Sequence, residues 1–263
     1  MARAVSTVMD VAICLLLVGL AVAALTAAVP SDSQPIEADS DTVVESLMTA
    51  TTTVPTSAEG PVHGTMVEHL IHATVVGATI DDETLTESPY PDAVSHEIER
   101  DTPTRTHVTA RWEPYPDSPL HGTINAGSSP PSSADVAVTT RTIHAGIDSP
   151  QFAVADSFGT LAVSIAEAYV ARLFPEERVR IQLVDPRTAH ATAERYRTVA
   201  ETIGVDIDNE IEEASANRAN QRLSNALAAD LEADLRISYE TPEAAASALE
   251  TEHAQVIVRR WEP

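Results

Sequence analysis

The sequence predicts an α+β body carried on an N-terminal transmembrane helix, and three observations predict it. Residues 11–29 form a run of nineteen residues without a charge. At ~1.5 Å rise per residue, such a helix is as long as the hydrocarbon core of a bilayer is thick. Alternating segments at 105–112, 136–144 and 255–261 read as strands, and long segments of helical period between 152 and 231 make the second half α-rich. The expected architecture is therefore a transmembrane helix, a linker, a small sheet covered by helices, and an α-rich C-terminal half. Its parts are residues 1–30 (helix), 31–60 (flexible acidic linker), 61–150 (β-richer half) and 151–263 (α-rich half).

The linker is rich in Ser, Thr, Pro, Asp and Glu, with Val43-Val44 and Leu47-Met48 as its only apolar pairs, and reads as a spacer holding at most one helical turn. Residues 65–78 place Met66, Val67, Leu70, Ile71, Thr74, Val75 and Ala78 at helical spacing, with Thr65 and Glu68 as a capping box and a strand as the runner-up. Residues 81–101 are polar and interrupted by Pro89 and Pro91. A short strand is expected over 121–125 and a loop over 127–133. Beyond Pro150, helices are expected over 152–174, 186–203 and 208–231, with Pro175 ending the first and Gly204 the second. Strands are expected over 178–184 and 235–239. Thr241-Pro242-Glu243 opens a short alanine-rich helix before the closing strand. Both tryptophans lie in the same tetrapeptide, Arg111-Trp112-Glu113-Pro114 and Arg260-Trp261-Glu262-Pro263. Each ends a β-like run, so a duplicated helix-plus-strand unit and a coincidence of strand endings both fit.

Charge narrows the setting. The 263 residues hold 40 acidic and 16 basic ones, a formal net charge of −24, and every basic residue is arginine. At ~1 M salt the Debye length falls to roughly 3 Å, so such self-repulsion is tolerable in brine and costly in dilute buffer. An acid coat, no lysine and few aromatics resemble the proteins of salt-in halophiles, haloarchaea above all. The charge argues against nucleic acid as a partner, which needs a basic face. Cys14, the only cysteine, lies inside the apolar run, so no intramolecular disulfide or cysteine-based metal site exists.

Three readings fit the N-terminus. A permanent span leaves the short end in the cytoplasm, since Arg3 precedes it and Asp32, Glu37, Asp39 and Asp41 follow. A secretory signal would be cut among the small residues near Ala27-Ala28. The third reading rests on Arg3-Ala4-Val5-Ser6-Thr7-Val8-Met9 followed directly by an apolar helix. This start resembles the N-termini of archaeal type IV pilins. The whole chain also resembles a group of uncharacterised haloarchaeal proteins with this kind of start. The resemblance implies processing between Ala4 and Val5, after the basic Arg3, with the helix kept on the mature protein. Thr7 and Asp10 depart from the pattern, which has a proline and a small residue there. Asp10 has two readings: it meets the positive end of the helix dipole, or it pairs with the freed Val5 amine of a neighbouring subunit, as an acidic residue does in bacterial pilins.

Catalytic and metal-binding patterns are weak. Glu68-His69-Leu70-Ile71-His72 places two histidines at i, i+3, a spacing able to hold a metal, but Met66, Leu70 and Ile71 beside them favour partly exposed histidines flanking a core face. His96-Glu97 is half of a deaminase signature without its paired cysteines. A Gly-x-Ser-x-Gly elbow is lacking, and without lysine there is no P-loop or Schiff base. Carboxylate runs such as Asp81-Asp82-Glu83 and Glu212-Glu213 read as solvated faces. No catalytic residue, metal ligand, cofactor or small-molecule substrate is assigned. The expected protein is a non-enzymatic surface protein in the cell membrane, its main domain extracellular. Its partners are the membrane, through residues 8–29, and other membrane or pilus-like proteins. An anchored hydrolase and a ligand-binding or sensory domain are the alternatives.

Overall fold

The computed structural model describes residues 36–55, 61–148 and 157–262. The apolar run at 11–29, the processing residues Arg3, Ala4 and Val5, and Asp10 lie outside them. Among the described residues no helix is long and apolar enough to cross a membrane.

The order of elements is α1 (Ile36–Thr49), β1 (Thr51–Val54), β2 (Val62–Thr65), α2 (Met66–Val76), β3 (Thr79–Ile80), β4 (Glu83–Thr84), α3 (Tyr90–Asp101), β5 (Thr106–Trp112), β6 (Leu120–Ala126) and β7 (Val136–His144). It continues with α4 (Phe158–Leu173), α5 (Glu176–Val184), α6 (Ala189–Thr202), α7 (Asp208–Glu212), α8 (Ala216–Ser238), α9 (Pro242–Ser247) and β8 (His253–Trp261). β1 and β2 form a small antiparallel pair, and the other strands form one sheet in the order β4-β3-β6-β5-β8-β7. Every pairing in that sheet is antiparallel. This is the expected α+β class, a small sheet with helices. The closing strand β8 enters the interior of the sheet between β5 and β7, so the sheet is complete only once the end of the chain is in place.

Alternation divides the faces of the sheet. Val108, Ala110 and Trp112 of β5, Leu120 and Ile124 of β6, and Ala254, Val256 and Val258 of β8 are buried on one face. Helices cover that face. Gly122 lets α2 sit directly on β6, because a Cβ there would collide with the Thr74 carbonyl oxygen. Trp112 stacks on Tyr169 of α4 with ring centroids 5.5 Å apart, and its Nε1–H donates to the Thr251 carbonyl at 2.9 Å. The Tyr169 hydroxyl donates to the Val75 carbonyl at 3.3 Å, which ties the C-terminal helices to α2.

Several segments differ from expectation, each for a physical reason. The spacer expected over 31–60 gives way, within 36–55, to α1 and β1. Ser40, Val43, Val44 and Leu47 stand at i, i+3, i+4 and i+7 and are all buried, so the isolated apolar pairs belong to one helical stripe. The Ser40 hydroxyl lies 2.7 Å from that of Thr139, and Arg141 meets Asp41 at 3.1 Å, latching α1 to β7. The polar stretch 81–101 holds α3, whose Tyr90, Val94 and Ile98 are buried; Pro89 and Pro91 start the helix rather than break it. The strand expected at 178–184 is α5. Val179 and Leu183 are buried one turn apart while Ile181 is 61% exposed, which is helical period read as alternation. The strand expected at 235–239 is the end of α8, with Leu235 buried and Ile237 86% exposed. The single helix expected over 208–231 breaks near Ala214, which takes a positive φ of 48°. The capping box is present as expected, with the Thr65 amide donating to Glu68 Oε2 at 2.7 Å and the Glu68 amide to Thr65 Oγ1 at 3.2 Å.

The two strands that end in the repeated tetrapeptide are neighbours in the sheet, with Trp112 opposite Ala254 and Thr106 opposite Arg260. Trp112 therefore shares the helix-covered face with Ala254, while Trp261, one residue beyond Arg260, belongs to the other. The helix after Ser157 is capped by that serine, whose Oγ accepts from the Thr160 amide at 3.1 Å.

Candidate functional site

Two places concentrate unusual chemistry. The first surrounds the histidine pair of α2. His69 is buried, which corrects the expectation of a partly exposed ring, and both its nitrogens are engaged. Nε2 lies 3.3 Å from the Thr52 carbonyl, which only accepts, so Nε2 carries a proton. In the neutral ring Nδ1 then accepts from the Tyr90 hydroxyl, 2.7 Å away. His72, one turn on, accepts from Arg172 of α4: Nη2 donates to Nδ1 at 3.0 Å. The Tyr90 ring lies 5.2 Å from that of His72.

Electrostatics fix the states of these groups. Burial, then Arg172, Arg195, His69 and Arg178, lower the His72 pKa to about 4, so the imidazole is neutral at ordinary pH. Burial pushes the Tyr90 phenol up to about 12. Arg172 is itself shifted downward, first by burial and then by Arg178. The i, i+3 pair does not form a metal site: His69 is committed to a tyrosine and a carbonyl, and His72 faces a guanidinium. Among the described residues no group of three or more His, Cys, Asp or Glu side chains is placed to hold a metal ion.

A cleft of about 340 Å³ opens beside His72 and Tyr90, bounded by α2, the start of α3, the end of α4, and α6. Leu173, Phe174 and Val76 supply apolar wall, and Arg195 and Glu194 stand on α6. The Arg195 guanidinium lies 5.6 Å over the Phe174 ring, which stacks on Tyr196 at 3.9 Å. No direct signal for this cleft lies in the sequence, because its residues come from separated segments.

The second place is the sheet face that the described helices leave open. Strands β5, β6, β7 and β8 contain none of the 40 acidic residues of the chain, yet hold Arg111, Arg141, Arg259 and Arg260 and four of its nine histidines. The open face presents His107, Arg111, His121, His253 and Arg259 among threonines, with Val138 54% exposed. Arg259 donates to the Thr109 hydroxyl at 3.3 Å, and that hydroxyl donates to Asn125 Oδ1 at 3.0 Å. Arg111 reaches Glu113, just past the strand, at 2.7 Å. Among the described residues most other carboxylates line helices and turns, with Glu83 in the two-residue edge strand β4; Asp81 and Asp82, for example, are the positive-φ residues joining β3 to β4.

No curated protein and no solved structure matches the chain. A family model does match, over residues 9–261, a span that takes in the apolar run and ends inside the described body. The chain belongs to DUF7284, a family of unknown function.

Proposed function

We propose that this chain is a membrane-anchored surface protein of a salt-loving cell, non-enzymatic, that works as a pilus-like component through contact between copies. The apolar run at 11–29 serves as the anchor or filament stem, and the matched family span includes it. The observation that carries the contact reading is the open sheet face, free of acid in a chain of net charge −24. Its occupant is the acid-coated helical surface of a neighbouring copy. A cationic plate on one subunit meeting carboxylates on the next is a heterologous contact, the kind that propagates into a filament. In molar salt, screening confines this attraction to touching surfaces, which suits a docking contact.

Two measurements test it. Mass spectrometry of protein from the membrane fraction should find a mature N-terminus at Val5 with the apolar run retained. A terminus near residue 28 contradicts anchoring. Light scattering of the full chain in detergent should show self-association that Arg111→Glu with Arg259→Glu abolishes. Unchanged association in that double variant contradicts the plate.

A further inference from the structure

The two edges of the larger sheet are protected unequally. At one end β4 has two residues, Glu83 and Thr84, and the turn before it holds Asp81 and Asp82. A short, charged edge of this kind keeps other chains from pairing with it. At the other end β7 has nine residues without a proline, a glycine or a carboxylate, and among the described residues no strand pairs with its outer edge. Hydrogen bonding identifies the groups on that edge. The Ala145 amide donates to the Glu252 carbonyl at 2.6 Å, and the register with β8 runs on from there without a bulge. Ile143, Arg141, Thr139 and Ala137 therefore bond inward to β8, and the N–H and C=O groups of Val136, Val138, Thr140, Thr142 and His144 point outward. Thr139 is buried under α1, but Thr140, Arg141 and Thr142 are all exposed.

We propose that β7 pairs antiparallel with β7 of a second copy, across a twofold axis at Thr140, joining two sheets edge to edge. Charge selects this occupant and this register. Thr140 then faces Thr140, Val138 faces Thr142 and Val136 faces His144, each pair exchanging two backbone hydrogen bonds, while Arg141 falls opposite Thr139. The Thr139 hydroxyl donates to Asp41 at 3.2 Å, and Asp41 also meets Arg141 at 3.1 Å. Each Arg141 thus arrives beside the Asp41 of the other copy, and two arginines with two aspartates make one neutral cluster on the α1 side. Moving the axis to Arg141 would set two arginines opposite each other. One strand edge buries little surface, so the contact is weak in dilute detergent and forms where anchored copies are crowded. For that crowding the proposal rests on the anchoring reading, but it uses neither Arg111 nor Arg259 of the open face.

The test is Thr140→Cys in a Cys14→Ala chain, expressed in its membrane and oxidised with copper phenanthroline. The Cα atoms of a hydrogen-bonded pair lie about 5.5 Å apart, within disulfide range, so a covalent dimer is expected. Val136→Cys, which the axis places opposite His144, should give at least tenfold less dimer. Thr142→Pro added to Thr140→Cys should do the same by removing an outward donor, with the melting temperature unchanged. Adding Arg111→Glu with Arg259→Glu should leave the dimer in place. Loss of anchoring shows as absence of the chain from the membrane fraction and removes the crowding that pairing needs, whereas loss of pairing shows as monomer within that fraction. Monomeric Thr140→Cys protein in the membrane, equal dimer from Val136→Cys, loss of the dimer with the open-face arginines, or a Thr140→Cys thiol shielded from maleimide in the monomer by its own chain would each overturn the proposal.

Discussion

On the helix-facing side of the sheet, alternate residues such as Val108, Ala110, Trp112, Val256 and Val258 are sealed beneath α1, α2 and α4. On the opposite side, the intervening positions of the same strands hold threonine, histidine and arginine, and no carboxylate. The first face follows from core burial alone. The second does not, because an exposed surface in a chain with 40 acidic residues would be expected to carry some of them. Strand propensity disfavours Asp and Glu only by fractions of the ~1 kcal/mol that the whole scale spans, too little to empty four strands. The difference teaches that core burial accounts for the covered face and does not account for the acid-free composition of the open one.

The largest effect should come from removing the strand that unites the faces. Truncation before His253 takes away the partner of both β5 and β7, and the cooperative melting transition in circular dichroism should vanish. A remaining sharp transition would mean the helices fold without the sheet. On the covered face, Trp112→Ala should cost about 3–5 kcal/mol through the lost stack with Tyr169 and the cavity left behind, read by chemical denaturation in molar KCl. Gly122→Ala, forced against the Thr74 carbonyl, should cost about 1–3 kcal/mol. On the open face, Arg111→Glu with Arg259→Glu should shift stability by no more than about 0.5 kcal/mol while removing self-association. That contrast between unchanged folding and lost contact separates the two faces.

A subtler test uses pH. The His72 pKa is lowered from 6.5 to about 4 in the fold, so the unfolded chain binds a proton that the folded ring refuses. As pH falls from about 6.5 to about 4, this residue therefore removes up to about 3 kcal/mol of stability, and above 6.5 it has no effect. His72→Asn should lose that part of the acid slope. Parallel pH profiles for the two proteins would place His72 in water.

Much of the fold was legible in the residues. The strands at 106–112 and 136–144 alternate cleanly, because one face of each meets the core and the other meets water. Thr65 and Glu68 announce α2 through local hydrogen bonding alone. Where the reading failed, acid richness hid the period. In α1 and α3 the buried residues are few, Val43, Val44 and Leu47 in one and Tyr90, Val94 and Ile98 in the other, so the first segment reads as a spacer and the second as a polar stretch. In α5 the alternate apolar residue Ile181 points outward and mimics a strand. The histidine pair was visible but not its meaning, because Arg172 and Arg195, which help lower the His72 pKa, and Tyr90, whose ring packs near it, come from other helices. The acid-free strands were visible in composition, but only the sheet order brings them together as one face.

The most direct test places a photo-activated cross-linking residue at Val138, on the open face, in the full chain expressed in its membrane. Illumination should yield covalent dimers whose cross-linked peptides map to the acidic helices of a second copy. A Val138 probe that captures no second copy, or joins two copies only through their sheet faces, would contradict the role assigned to that surface.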